Sequence, residues 1–71
     1  MQLKFDNEPP GEAVLELMDV GASGFRASHR RGALPLGANA AFRHPEAVGK
    51  ARVVWNWMHA DHLETGFVVI R

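Results

Sequence analysis

Asp19-Val20-Gly21-Ala22-Ser23-Gly24 stands between two short alternating runs, Ala13-Val14-Leu15-Glu16-Leu17 and Phe25-Arg26-Ala27. An acidic residue and two glycines occupy the place where an extended chain must reverse tightly. Glycine accepts positive φ and lets other groups approach the backbone closely, and aspartate caps turns through its own backbone. Ala13, Leu15 and Leu17 face one way, with Glu12, Val14 and Glu16 facing the other, and Phe25 and Ala27 resume that pattern. A period of two on both sides of such a turn predicts a β-hairpin.

The same alternation extends in both directions. Leu3 and Phe5 alternate with Gln2 and Lys4, giving a first strand, and Asp6-Asn7-Glu8-Pro9-Pro10-Gly11 reads as a turn. Its two prolines have no N–H to donate to a ladder. Ser28–Pro35 reads as a loop, and Ala38–His44 as a strand with Ala40 and Phe42 inward, although alanine is a poor strand former. His44–Gly49 is the next turn. Ala51, Val53, Trp55 and Trp57 make the strongest alternating run, answered by Arg52, Val54, Asn56 and Met58. This pattern assigns Trp55 to core packing, with Trp57 near the strand end. His59–Thr65 reads as a polar connection, and Gly66–Arg71 as a closing strand. Six short strands with polar turns predict an all-β fold, a small six-stranded antiparallel β-barrel whose closure removes exposed edges.

Bulk properties narrow the function classes. Seventy-one residues allow one domain, 1–71, with a small core, and self-association is a natural way to bury more surface. Eight basic and eight acidic residues cancel, so no global field draws nucleic acid or an anionic membrane, and any anion site must be local. The absence of cysteine excludes disulfides and thiolate chemistry. No stretch resembles a signal peptide or reaches 18 apolar residues, so no membrane insertion is expected and a cytoplasmic domain is the default.

Four motifs together resemble the PilZ family of bacterial signalling domains. They are Asp19-x-Gly21-x-x-Gly24, Leu34-Pro35-Leu36-Gly37, Val53-Val54-Trp55 and Gly66-Phe67-Val68-Val69, spanning nearly the whole chain. The resemblance implies a six-stranded barrel and a cyclic di-GMP ligand. Family members often add a C-terminal helix, for which a chain stopping at Arg71 leaves no room. In the family, an R-x-x-x-R stretch ahead of the first strand and a D/N-x-S-x-x-G turn grip the dinucleotide. Arginine suits this because its planar fork pairs bidentately with phosphate and guanine. No such arginine pair precedes the first strand here, and Gly21 replaces the family serine. Each lost charge-assisted hydrogen bond removes about 1.5–3 kcal/mol, against about 1.4 kcal/mol per tenfold in affinity. The resemblance therefore implies a degenerate member acting as a protein-interaction module, towards another protein or a second copy. The alternative is a receptor that uses Asp19, Gly21, Ser23, Gly24 and a displaced clamp of Arg26, Arg30 and Arg31. A bland reading competes, in which the arginines are a solvated loop and Asp19 only caps its turn.

Other constellations give less. His59-Ala60-Asp61-His62 sets two imidazoles three apart, but on a hairpin loop, where a third ligand would have to come from Asp61 or Glu64; no metal site is expected, and the histidines read as exposed loop residues. Trp55 and Trp57 could stack bases, yet the neutral chain lacks the basic groove that single-strand binders need. No nucleophile elbow, phosphate loop or convincing carboxylate pair is present, and Ser28-His29 has no identifiable orienting acid, so no enzyme and no cofactor is expected.

Overall fold

Leu3 and Phe5 are buried while Lys4 is exposed, so the period-two reading of the first strand holds at the level of side chains. The computed structural model describes residues 1–5 and 13–70; the expected turn at Asp6–Gly11 lies outside them. The strands are β1 Gln2–Phe5, β2 Ala13–Val14, β3 Glu16–Val20, β4 Gly24–His29, β5 Asn39–His44, β6 Ala47–Met58 and β7 Leu63–Ile70. All pairings are antiparallel, in the order β2-β1-β5-β6-β7-β4-β3, and the described residues contain no helix.

Leu15 alone separates β2 from β3. Its N–H donates to the Met1 carbonyl at 2.8 Å, and its carbonyl accepts from the Met1 ammonium at 2.7 Å. One bent strand thus serves both ends of the sheet, pairing with β1 through its first part and with β4 through its second. The sheet is thereby nearly closed into a barrel, and counting β2 and β3 as one gives the six strands read from the sequence. Leu3, Phe5, Leu15, Phe25, Ala27, Ala40, Phe42, Ala51, Val53 and Phe67 fill the interior, with Leu34 completing the cluster. Phe25 lies 4.7 Å from Phe42 and 4.9 Å from Phe67 between ring centres. The small alanines are what let these aromatics fit within so short a barrel.

Several boundaries differ from the sequence reading. β4 continues through Ser28 and His29, because His29 finds partners inside. The turn after β5 is only Pro45-Glu46, capped by a Glu46 N–H donated to Nδ1 of His44, and β6 begins at Ala47. Leu63, Glu64 and Thr65 are buried strand residues, not a polar connection. His29 and His44 are buried, not exposed loop residues. Neither Gly21 nor Gly24 has positive φ. That conformation falls at Gly32 and Gly37, and Gly37 sits in a Pro35–Ala38 turn closed by the Ala38 N–H to the Pro35 carbonyl at 3.1 Å.

Two β-bulges redirect side chains. Register shifts between Leu17 and Asp19, and between Val53 and Trp55, making Met18 and Val54 the extra residues. Beyond Val54, Trp55 pairs with Gly66 and Asn56 with Thr65. Asn56 therefore turns inward and both tryptophans outward, which overturns the core role expected for Trp55; its exposure is 39%. Inside, Asn56 Oδ1 accepts from the Leu34 N–H and the Thr65 hydroxyl, and its Nδ2 donates to the Leu34 carbonyl. With the Thr65 hydroxyl so committed, His29 Nε2–H donates to Thr65 at 2.7 Å, while Nδ1 accepts from the Arg31 N–H at 3.2 Å. This fixes a neutral imidazole.

Gly24 is required by close approach. A Cβ there would stand 2.1 Å from the Phe67 carbonyl oxygen, whereas at Gly21 the nearest atom is 3.8 Å away. Gly24→Ala is expected to destabilise the barrel by about 3 kcal/mol, and Gly21→Ala by less than about 0.5 kcal/mol, measured by urea unfolding. Burial, then the neighbouring Arg31 cation, holds the His29 pKa below its ordinary 6.5. The unfolded chain binds the extra proton first, so His29's contribution to stability is complete above 6.5 and is lost as pH falls from there. Urea unfolding across this range should show stability falling with acid, and His29→Gln should flatten that dependence.

Candidate functional site

The bulge at Met18 decides where Asp19 lies. Without it, Asp19 would share the inner face with Phe25; with it, Asp19 pairs with Arg26 on the outer surface. Arg26 Nη2 donates to Asp19 Oδ2 at 2.8 Å, and Nη1 donates to Glu64 Oε1 at 3.1 Å. Glu64 is buried, its side chain 8% exposed, and its second oxygen Oε2 touches Nε2 of His59. The His59 and His62 rings stack at 4.5 Å, and Trp57 lies 5.1 Å from His59. Nδ1 of His62 and Oδ1 of Asp61 are 2.6 Å apart, which holds the Asp61 carboxyl below its usual range.

The outer face of β3, β4, β7 and β6 thus carries a continuous chain from Asp19 through Arg26 and Glu64 to His59, flanked by tryptophan. Trp55 lies across Gly66, where any Cβ would meet its indole at 2.1 Å. Beyond it, Val54, Trp57 and Met58 are exposed at 47%, 59% and 72%. Val54, Trp55 and Trp57 form an apolar strip beside the ionic chain, whereas Met58 pairs with the inward Leu63 and lies on the other face at the strand end.

Of the residues singled out in the sequence, Asp19 and Arg26 are brought together, but as partners of each other. Asp19 is therefore not a bare acceptor awaiting a guanine. Gly21 and Gly24 close the turn, with the Gly21 N–H donated to the Gly24 carbonyl at 2.8 Å, and the Ser23 carbonyl accepts from Val69. Arg30 and Arg31 are exposed beyond β4. Arg26-Ala27-Ser28-His29-Arg30 does carry the spacing R-x-x-x-R, although on β4 and not ahead of the first strand. Arg30 and Ser28 line an open cleft with Glu16, Met18, His29 and His62. Glu64, His59 and Trp57 were missed as a group because Glu64 was read as part of a connection. The signal that could have exposed them was the alternation Leu63-Glu64-Thr65-Gly66-Phe67, which continues unbroken into β7.

Comparison of the chain with protein-family models, curated proteins and solved structures finds no match. The fold and this face define a small all-β barrel with an ionic and aromatic outer surface.

Glu64 depends on Arg26 far more than Asp19 does, since the Asp19 side chain is 70% exposed. Arg26→Ala leaves a buried carboxylate without its cation and should cost about 2–4 kcal/mol, whereas Asp19→Ala should cost less than about 1 kcal/mol. Thermal and urea unfolding of the two variants measure the difference.

Proposed function

We propose that the chain is a PilZ-like bacterial signalling domain, cytoplasmic and non-enzymatic, that acts as a protein-interaction module with a degenerate dinucleotide site. The observation that carries this reading is the exposed strip Val54, Trp55 and Trp57 on the outer face of β6. Large apolar side chains grouped on a polar surface are what interfaces are built from, and tryptophan is enriched there. Support also comes from Asp19, whose carboxylate is already engaged by Arg26. The partner is another protein or a second copy of the chain.

A second reading, a cyclic di-GMP receptor, draws on a different observation. Arg26 and Arg30 are four apart along β4, and Arg30 lines the cleft with Ser28 and His62. It requires Asp19 to release Arg26 when the ligand arrives.

Two measurements separate them. Calorimetric titration with cyclic di-GMP should give no heat under the first reading, and micromolar binding abolished by Arg30→Ala would replace it with the second. Sedimentation and partner capture should show association through the outer face of β6 that Trp57→Ser with Val54→Asp removes, with unfolding stability shifted by less than about 1 kcal/mol. A wild-type chain that neither self-associates nor captures protein through that face ends the interaction reading.

A further inference from the structure

Three side chains with metal-binding donors meet where β6 turns into β7. The ligand atoms of His59, His62 and Glu64 all lie within 4.8 Å of one another. Glu64 is buried and oriented: Arg26 holds Oε1, which turns Oε2 towards His59. Nε2 of His59 is itself buried, and the atom it faces is that same Oε2. Finally, Asp61 engages Nδ1 of His62, which leaves Nε2 as that ring's free donor. A carboxylate behind an imidazole is the usual support of a histidine ligand, fixing its tautomer and raising its basicity.

We propose that His59, His62 and Glu64 form a binding site for a single divalent transition-metal ion of the zinc class, with a fourth position open to water. The donor set decides the class. Two imidazole nitrogens and one carboxylate oxygen suit zinc, cobalt, nickel or copper, whereas magnesium and calcium require oxygen cages. Tetrahedral zinc with bonds of about 2.0–2.1 Å sets donors about 3.3 Å apart, so the donors, now all within 4.8 Å of one another, must rearrange to that spacing, with the touching His59 and Glu64 atoms moving apart to admit the ion. Glu64 is fixed on β7, and the two histidines, each about one-third exposed on a tight turn, supply the movement. The nearby charges partly cancel: Arg26 opposes a dication, while Asp19 and Asp61 favour it. This site is independent of the interaction reading, and its occupant would sit beside Trp57.

Zinc chloride titrated into the full 71-residue chain near neutral pH, by calorimetry and tryptophan fluorescence, tests the site. The expected result is one ion per chain, with magnesium giving no signal. His62→Ala should weaken binding at least about 100-fold and Asp61→Asn about tenfold, the usual effect of losing a supporting carboxylate. Both side chains are accessible, so both variants should keep the wild-type circular dichroism spectrum; Glu64→Gln, at a buried position, is read only if it does the same. No zinc binding, binding unchanged in His62→Ala, equal binding of magnesium, or one ion shared between two chains would each overturn the proposal.

Discussion

The extra residue at Val54 is the constraint on which most of the molecule depends. A strict alternation along β6 would send Trp55 inward against Thr65 and Asn56 outward to solvent. The bulge reverses both. Asn56 then supplies an amide that pairs with both backbone groups of Leu34 and with the Thr65 hydroxyl. That pairing ties the long segment between β4 and β5 across one end of the barrel and lets Leu34 join the core. A barrel this small cannot leave such groups unpartnered, since a buried amide without hydrogen bonds costs as much as several well-packed methyl groups gain.

The inner polar line is closed at every step. His29 donates to Thr65, Thr65 donates to Asn56, and Asn56 exchanges hydrogen bonds with Leu34; the remaining nitrogen of His29 accepts from Arg31. Each hydrogen bond along this line has a single assigned donor, so the direction of every proton is determined by the neighbour before it. The same logic operates at the opposite edge. Leu15, between two short strands, gives both its backbone groups to Met1, and this joins the ends of a sheet that would otherwise expose two edges.

The all-β class and the inward faces of β1, β2, β4 and β5 were legible because those strands keep a strict period of two. Leu3, Phe5, Leu15, Phe25, Ala27, Ala40 and Phe42 all lie where alternation puts them. What was not legible follows from local geometry that periodicity cannot encode. A bulge shifts the phase of a strand without leaving a mark in composition, so Trp55 was assigned to the core. Glu64 and His29 looked like loop residues because charged and titratable side chains are rarely buried; only the specific partners Arg26 and Thr65 make those positions tolerable. Of the two uses read for the turn glycines, positive φ and close approach, only the second holds: Gly24 is required by the nearness of the Phe67 carbonyl.

The two tryptophans are outward for the same reason but are not equivalent. Trp55 covers Gly66, filling the groove that a residue without a side chain leaves on the sheet, so part of its surface is already used by the barrel. Trp57 and Met58 lie past that glycine at the end of β6, and more than half of each side chain is left to solvent. Trp57 packs beside the His59 ring, which itself leans on Glu64 and thus on Arg26. The apolar strip and the ionic chain therefore meet at one place, His59. A change in the charge or position of that imidazole would alter the platform on which Trp57 rests, and with it the shape of the surface that β6 presents.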